Sequence, residues 1–143
     1  MNRTAASGLA VVLLLCGVPA AFADPVLSAP EAFAAAKEGK LLLIDIRTPQ
    51  EWRETGVAPG AARVDYYRGP KALLESILQL VGGDRSRPIA LICRTGNRTT
   101  QAQKLLMEQG FTQVYNVREG MAGSAAGPGW LRRGLLVENC TVC

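Results

Sequence analysis

Ile89-Ala90-Leu91-Ile92 is a four-residue apolar run that follows Pro88 and ends on Cys93. A polar loop, Arg94-Thr95-Gly96-Asn97, comes next, and a helical pattern then runs from about Arg98 to Gln109, with Ala102, Leu105 and Leu106 on one side and Gly110 as the stop. A short apolar run bounded by turn residues reads as a buried strand. A strand apolar on both of its faces needs a layer on each side, which is the situation of a central strand in a parallel sheet. This one stretch therefore restricts the chain to folds with a covered sheet.

The remaining pattern agrees. Leu41 to Ile46 is a second continuous apolar run, broken only by Asp45, and Ala62 to Tyr66 and Val114 to Val117 read as further strands. Asp24 to Ser28 is a lead-in that could add an edge strand. Helical patterns alternate with these runs. Pro30 and Glu31 suit a helix start, and that helix stops near Gly39. Thr48-Pro49, with Glu51 three residues after the threonine, is a capping-box start. Lys71 to Val81 carries Leu73, Leu74, Ile77, Leu78, Leu80 and Val81 as one stripe and ends at Gly82-Gly83. Alternating strands and helices predict an α/β domain with a central, mostly parallel sheet and helices on both faces. At 143 residues there is room for one such domain.

In open α/β sheets the ligand site lies beyond the carboxyl ends of strands. Cys93 stands at such an end. Backbone amides of a tight turn and helix start, with Arg94 and Arg98 bracketing it, favour a thiolate, and the thiolate is the nucleophilic form of cysteine. Gly96 suits a backbone conformation that a side chain would hinder. The plainer alternative is a packing cysteine, since free cysteine is often buried, but a packing role needs no adjacent cations. Asp45 also ends a buried strand, where a carboxylate is costly unless paired; Arg47 follows it and is expected to pair with Glu51, four residues on. There is no histidine in the chain, which excludes a Ser-His-Asp triad, a Cys-His pair and any histidine-ligated metal site.

Cys93-Arg94-Thr95-Gly96-Asn97-Arg98 resembles the six-residue active-site loop of the rhodanese (thiosulfate sulfurtransferase) family in its single-domain bacterial form. Leu42 to Trp52 resembles that family's upstream signature, as does Gly60-Ala61-Ala62. The resemblance spans residues 26–137. It implies a rhodanese-like three-layer domain over residues 24–137 and a sulfurtransferase that needs no cofactor or metal. Cys93 would be the catalytic persulfide carrier, and Arg94, Thr95, Gly96, Asn97 and Arg98 would bind a small anionic sulfur donor such as thiosulfate. Asp45 and Arg47 would be supporting residues, and the acceptor cyanide or a thiol. The family often carries a histidine after the aromatic of the upstream motif; Gly56-Val57 occupies that region here.

Two other readings stay open on sequence. Cysteine phosphatases and arsenate reductases also place a thiolate in an amide-lined loop ending in arginine, with a usual spacing of C-x5-R; Cys93 to Arg98 is C-x4-R, one residue short. A non-enzymatic module could use the same fold to dock a partner. The chain carries 16 basic and 12 acidic residues, a mild excess that suits small anions and gives no reason to expect nucleic-acid binding.

Both ends carry a distinct signal. Arg3, the apolar stretch from Leu9 to Val18 and Ala21-Phe22-Ala23 form a signal-peptide pattern with cleavage before Asp24. The stretch is shorter than the ~20 residues a membrane span requires, so the expectation is a periplasmic or secreted protein with no membrane anchor after cleavage. Residues 138–143 form a tail ending in Cys140-Thr141-Val142-Cys143. In an exported protein this C-x-x-C is expected to be a disulfide without a catalytic role, the alternative being a redox or sulfur-accepting pair that works with Cys93.

Overall fold

The computed structural model describes residues 25–143. The signal-peptide expectation falls on residues 1–23 and lies outside the described residues. In chain order the elements are α1 (Ala29–Lys37), β1 (Leu42–Asp45), α2 (Pro49–Thr55), β2 (Ala62–Arg63), α3 (Pro70–Leu80), β3 (Ile89–Ile92), α4 (Asn97–Glu108) and β4 (Val114–Asn116). The four strands form one sheet in the order β2-β1-β3-β4, and every pairing is parallel. The lead-in touches its edge: Leu27 N–H donates to the Asn116 carbonyl at 3.1 Å, and Asn116 N–H to that of Pro25 at 2.9 Å.

The period-two geometry of a strand divides the core. Ile44, Ile89 and Leu91 point into a cluster with Leu73 and Ile77 of α3 and Ala102 and Leu106 of α4. Leu43, Ala90 and Ile92 point the other way, to Ala29 and Ala32 of α1 and to Val117, Met121 and Trp130. The three-layer expectation holds. One outer layer is a helix pair; the other is α1 together with the irregular segment that carries Trp130, which packs edge-on against Phe33 at 5.5 Å.

Local chemistry sets the helix starts. Ser28 with Glu31 and Thr48 with Glu51 both form complete capping boxes, each followed by proline in the first turn. α3 has no side-chain cap, only Gly69 before Pro70. A missing cap costs about 1 kcal/mol, whereas burying Leu73 and Ile77 contributes about 1.5–3 kcal/mol each, so packing decides that helix. The strand expected over Ala62–Tyr66 is shorter than the pattern suggested. After Arg63 the Asp65 carboxylate accepts the Tyr67 N–H at 2.9 Å and turns the chain into a short 3-10 segment, Tyr66–Arg68.

The topology locates the site. The chain leaves β1 for β2 on one side and then crosses to β3 on the other side of β1. The crevice of such a sheet opens at this reversal, beyond the carboxyl ends of β1 and β3. Arg47 leaves one of those ends and Cys93 the other. Among the described residues no helix is long and apolar enough to cross a membrane.

Candidate active site

Cys93 follows β3 directly, and its carbonyl is fixed by the Met121 N–H at 2.8 Å, as that of Arg94 is by Ala122 at 2.9 Å. The segment after β4 thus holds the loop from behind. The sulfur is buried, 1% exposed at the residue level, at the edge of the core layer below α3 and α4. Gly96 N–H donates to Cys93 Sγ at 3.2 Å. Thr99 Oγ1 lies 3.6 Å from the same sulfur and also donates to the Gly96 carbonyl at 3.0 Å. A hydroxyl has a single proton, so with that bond made Thr99 can only accept from a Cys93 thiol. Reorienting toward a thiolate requires that bond to break.

Gly96 is the N-cap of α4 with φ +91°. A side chain is disfavoured there twice over: the left-handed conformation suits glycine, and a Cβ would run into the Arg118 carbonyl. Gly120 meets the same loop from the opposite side, where a Cβ would strike the backbone of Arg94 and Thr95. The close fit of these two backbones shapes the turn. It also places Cys93 at the N-terminal end of a twelve-residue helix, whose first amides and dipole favour negative charge.

The two loop arginines differ. Arg98 forms a two-pronged bond to Glu51, Nη1 to Oε2 at 2.8 Å and Nη2 to Oε1 at 2.7 Å, with its guanidinium 5.6 Å from the Tyr67 ring centre. This bond pulls the Glu51 carboxyl down to about 2; the Thr48 N–H adds to the effect, and partial burial opposes it. The Arg98 guanidinium is raised, chiefly by the same bond. Arg94 is exposed and, among the described residues, makes no ion pair. Thr95 and Asn97 are exposed as well.

Asp45 and Arg47 meet each other rather than separate partners. Asp45 Oδ1 accepts the Arg47 backbone N–H at 3.0 Å, and its carboxylate takes Nε and Nη2, the latter at 2.7 Å. The expected side-chain pair between Arg47 and Glu51 is not formed. Arg47 reaches only the Glu51 carbonyl, at 3.4 Å, together with Thr55 Oγ1 at 2.6 Å and the Gly56 carbonyl at 2.7 Å. The reason is that Arg47 stands at a bend just past β1, where its N–H donates to Asp45 Oδ1 and the two side chains are brought together, while Glu51 is already engaged by its cap and by Arg98. The pair ties the end of β1 to the end of α2.

Clefts flank the loop on two sides. One of about 340 Å³ includes Thr95, Asn97, Thr100, Arg118 and Ser124; another of about 200 Å³ includes Arg47, Glu51, Thr55 and Arg94. Cys93 lines neither. Among the described residues no group of three or more Cys, Asp or Glu side chains is placed to hold a metal ion.

Three residues of this region escaped the sequence reading. Thr99 could have been found, because it lies one turn into α4 on the side facing back toward the loop. Glu51 was legible as a cap and as a partner for Arg47, but not as the partner of Arg98. Glu119 gave no signal. It is buried and accepts from Ala29 N–H at 2.7 Å, Gly129 N–H at 2.7 Å and Arg133 Nε at 2.8 Å. Burial pushes its carboxyl up, but Arg133 and the two amides outweigh this and hold it below its ordinary value. It fastens α1 to the segment behind the active loop. Cys140 and Cys143, expected to form a disulfide, are bonded to each other, and Cys140 packs with Trp52 and Val57 in a cluster separate from that of Cys93.

Comparison with known proteins gives consistent matches. The family model described as "Rhodanese-like domain" matches residues 28–126. A protein named sulfurtransferase from Allochromatium vinosum is 34% identical over 95 residues, covering 66% of this chain and 76% of that protein. The thiosulfate sulfurtransferase GlpE of Pseudomonas syringae is 30% identical over 91 residues, covering 64% and 78%. Among solved structures, the polysulfide-sulfur transferase homodimer of Wolinella succinogenes superposes with a TM-score of 0.62 at 29% identity, covering 80% of this chain and 78% of that one.

Proposed function

The chain belongs to the rhodanese-like domain family, and on that premise we propose that it is a sulfurtransferase that carries sulfane sulfur on Cys93. The Cys93 thiolate attacks the outer sulfur of thiosulfate or a similar anionic donor. The donor's sulfur–sulfur bond breaks, sulfite leaves with the electron pair, and Cys93 is left as a persulfide anion. Cyanide or a thiolate then attacks the terminal sulfur, and Cys93 departs again as thiolate. The first step replaces the donor's sulfur–sulfur bond with that of the persulfide; the second replaces it with the carbon–sulfur bond of thiocyanate or the sulfur–sulfur bond of a new persulfide, and neither needs an external oxidant. Two half-reactions on one nucleophile give ping-pong kinetics.

The observation that carries the reading is the Gly96 N–H donated to Cys93 Sγ at the N-terminus of α4. With no histidine in the chain, backbone dipoles are what the loop offers an anionic sulfur. Arg94, exposed and unpaired among the described residues, is the cation we assign to the donor, with Thr95 and Asn97 beside it. Arg98 acts by positioning the loop through Glu51, and Asp45 and Arg47 by anchoring α2. A guanidinium occupied by Glu51 and a loop one residue short both argue against a cysteine phosphatase or arsenate reductase, which needs that arginine to hold a tetrahedral oxyanion. We also infer that residues 1–23 are removed and that the protein acts in the periplasm or outside the cell; N-terminal sequencing of secreted material should begin at Asp24.

Cys93→Ser should abolish thiosulfate:cyanide sulfur transfer with an unchanged circular-dichroism spectrum. The wild type should hydrolyse an aryl phosphate at no more than background rate. Retained transfer in Cys93→Ser, or Cys93-dependent phosphatase activity, overturns the proposal.

A further inference from the structure

The Cys140–Cys143 bridge lies outside the proposed reaction, yet its surroundings are not those of an inert clip. The tail is docked: Val57 and Glu138 exchange backbone bonds at 2.9 and 2.8 Å, and Cys140 is 7% exposed against Trp52 and Val57, while Cys143 is open to solvent. Arg63, the last residue of β2, directs Nη1 at both sulfurs, contacting Cys140 Sγ closely and Cys143 Sγ at 3.4 Å. Among the described residues Arg63 forms no salt bridge with a carboxylate.

From this juxtaposition we propose that Cys140 and Cys143 are a redox-active pair that exchanges with an external dithiol, with Arg63 stabilising the thiolate released on reduction. Three observations support it. A cation beside a cysteine favours its thiolate, and C-x-x-C spacing does so too. A thiolate that is easily formed leaves faster in disulfide exchange. A bridge between residues only three apart closes a very small loop, so it constrains the unfolded chain little, and the domain can keep its fold in both states. The sequence alone favoured an inert bridge; Arg63 alters that balance.

Burial sets the direction of the exchange. A thiolate of the reductant attacks the exposed Cys143 Sγ and forms a mixed disulfide. The Cys140–Cys143 bond breaks, and Cys140 leaves as a thiolate against Arg63. The second thiol of the reductant loses its proton and attacks its own sulfur in the mixed disulfide, closing the reductant's disulfide. Cys143 departs and takes up a proton. Two electrons pass from the dithiol to the bridge, and one proton is released to solvent while Cys140 stays ionised. Arg63, which contacts the bridge, ends β2 at the same carboxyl edge of the sheet from which Cys93 follows β3. In the strand register Arg63 lies opposite Asp45 and Asp45 opposite Ile92, so the backbones of Arg63 and Ile92 are two strands, or about 10 Å, apart. The inference does not depend on the chemistry assigned to Cys93.

The test equilibrates the whole protein with mixtures of reduced and oxidised glutathione, which supply the same two electrons through two monothiols. Acid quenching, alkylation and peptide mass spectrometry then read Cys140 and Cys143 separately from Cys93. The equilibrium constant for reduction should fall at least tenfold in Arg63→Ala, about 30 mV for a two-electron couple, and recover most of the way in Arg63→Lys. Circular dichroism should be the same for the reduced and oxidised wild type. As an independent check, Cys140 in Cys143→Ser should alkylate with a pH inflection below that of the synthetic peptide 138–143. Wild type and Arg63→Ala titrating together, unfolding on reduction, or an inflection equal to the peptide's would each overturn the proposal.

Discussion

Two ion pairs flank the active loop, and they differ in kind. Asp45–Arg47 is sealed, with side chains 0% and 2% exposed, and joins β1 to the end of α2. Glu51–Arg98 is partly open, at 20% and 15%, and joins the start of α2 to the first turn of α4. Both carboxylates accept two-pronged bonds from arginine. The surroundings separate them. Water can replace part of what Arg98 gives Glu51, whereas nothing in the buried site can replace what Arg47 gives Asp45. Chemically similar pairs therefore have different consequences when broken; of the two loop arginines Arg94 is the one that, among the described residues, makes no ion pair, and it is the one we propose for the substrate.

The largest effect should come from opening the sealed pair. Arg47→Ala leaves Asp45 buried and unpaired and frees the Gly56 carbonyl, so it should lower unfolding free energy by about 3–5 kcal/mol. Urea denaturation measures this. Asp45→Asn/Arg47→Met, which removes both charges, should recover much of the loss, because a buried pair is itself often close to neutral beside an apolar replacement. A loss from Arg47→Ala no greater than from Arg98→Ala would erase the distinction.

The open pair should give a smaller effect with a pH signature. The Glu51 carboxyl is lower in the fold than in the unfolded chain, so its contribution is fully present above pH 4.5 and is lost as pH falls toward about 2. Solvent screening limits the contribution to about 1 kcal/mol. Glu51→Gln should lose about that much at pH 7, and its stability should approach that of the wild type near pH 2. Denaturation curves at pH 7, 4 and 2.5 test it, and a constant difference across that range would contradict the assignment.

Arg94→Gln should have the smallest structural effect, within about 0.5 kcal/mol as for other exposed substitutions. Its kinetic effect should nevertheless be clear: a rise in KM for thiosulfate with the cyanide half-reaction unchanged. A stability loss without that rise would place Arg94 with the structural arginines.

Much of the frame could be read from the chain. The apolar runs at Leu41–Ile46 and Ile89–Ile92 carry buried residues on both faces, and such runs have few other solutions. The capping box at Thr48 and Glu51 forms as the local spacing requires. What could not be read was long-range partnership. Helical spacing suggested Arg47 with Glu51, but Arg47 precedes α2 and stands at a bend whose N–H is held by the Asp45 carboxylate. Glu51 finds Arg98 across 47 positions, a contact set by the placement of α2 beside α4 and by no local pattern. Glu119 is similar: its partners come from α1 and from the Gly129–Arg133 turn, and nothing beside it in sequence marks it as a buried staple. The docking of Cys140 on Trp52 likewise depends on the pairing of Glu138 with Val57.

The central claim is that Cys93 carries the transferred sulfur. Intact-mass spectrometry of the protein after brief exposure to thiosulfate, with peptide mapping, tests it most directly. The account predicts a gain of one sulfur atom on the peptide containing Cys93, its disappearance on addition of cyanide with thiocyanate formed in equal amount, and no gain in Cys93→Ser. A gain that maps instead to Cys140 or Cys143, or one that persists in Cys93→Ser, would contradict it.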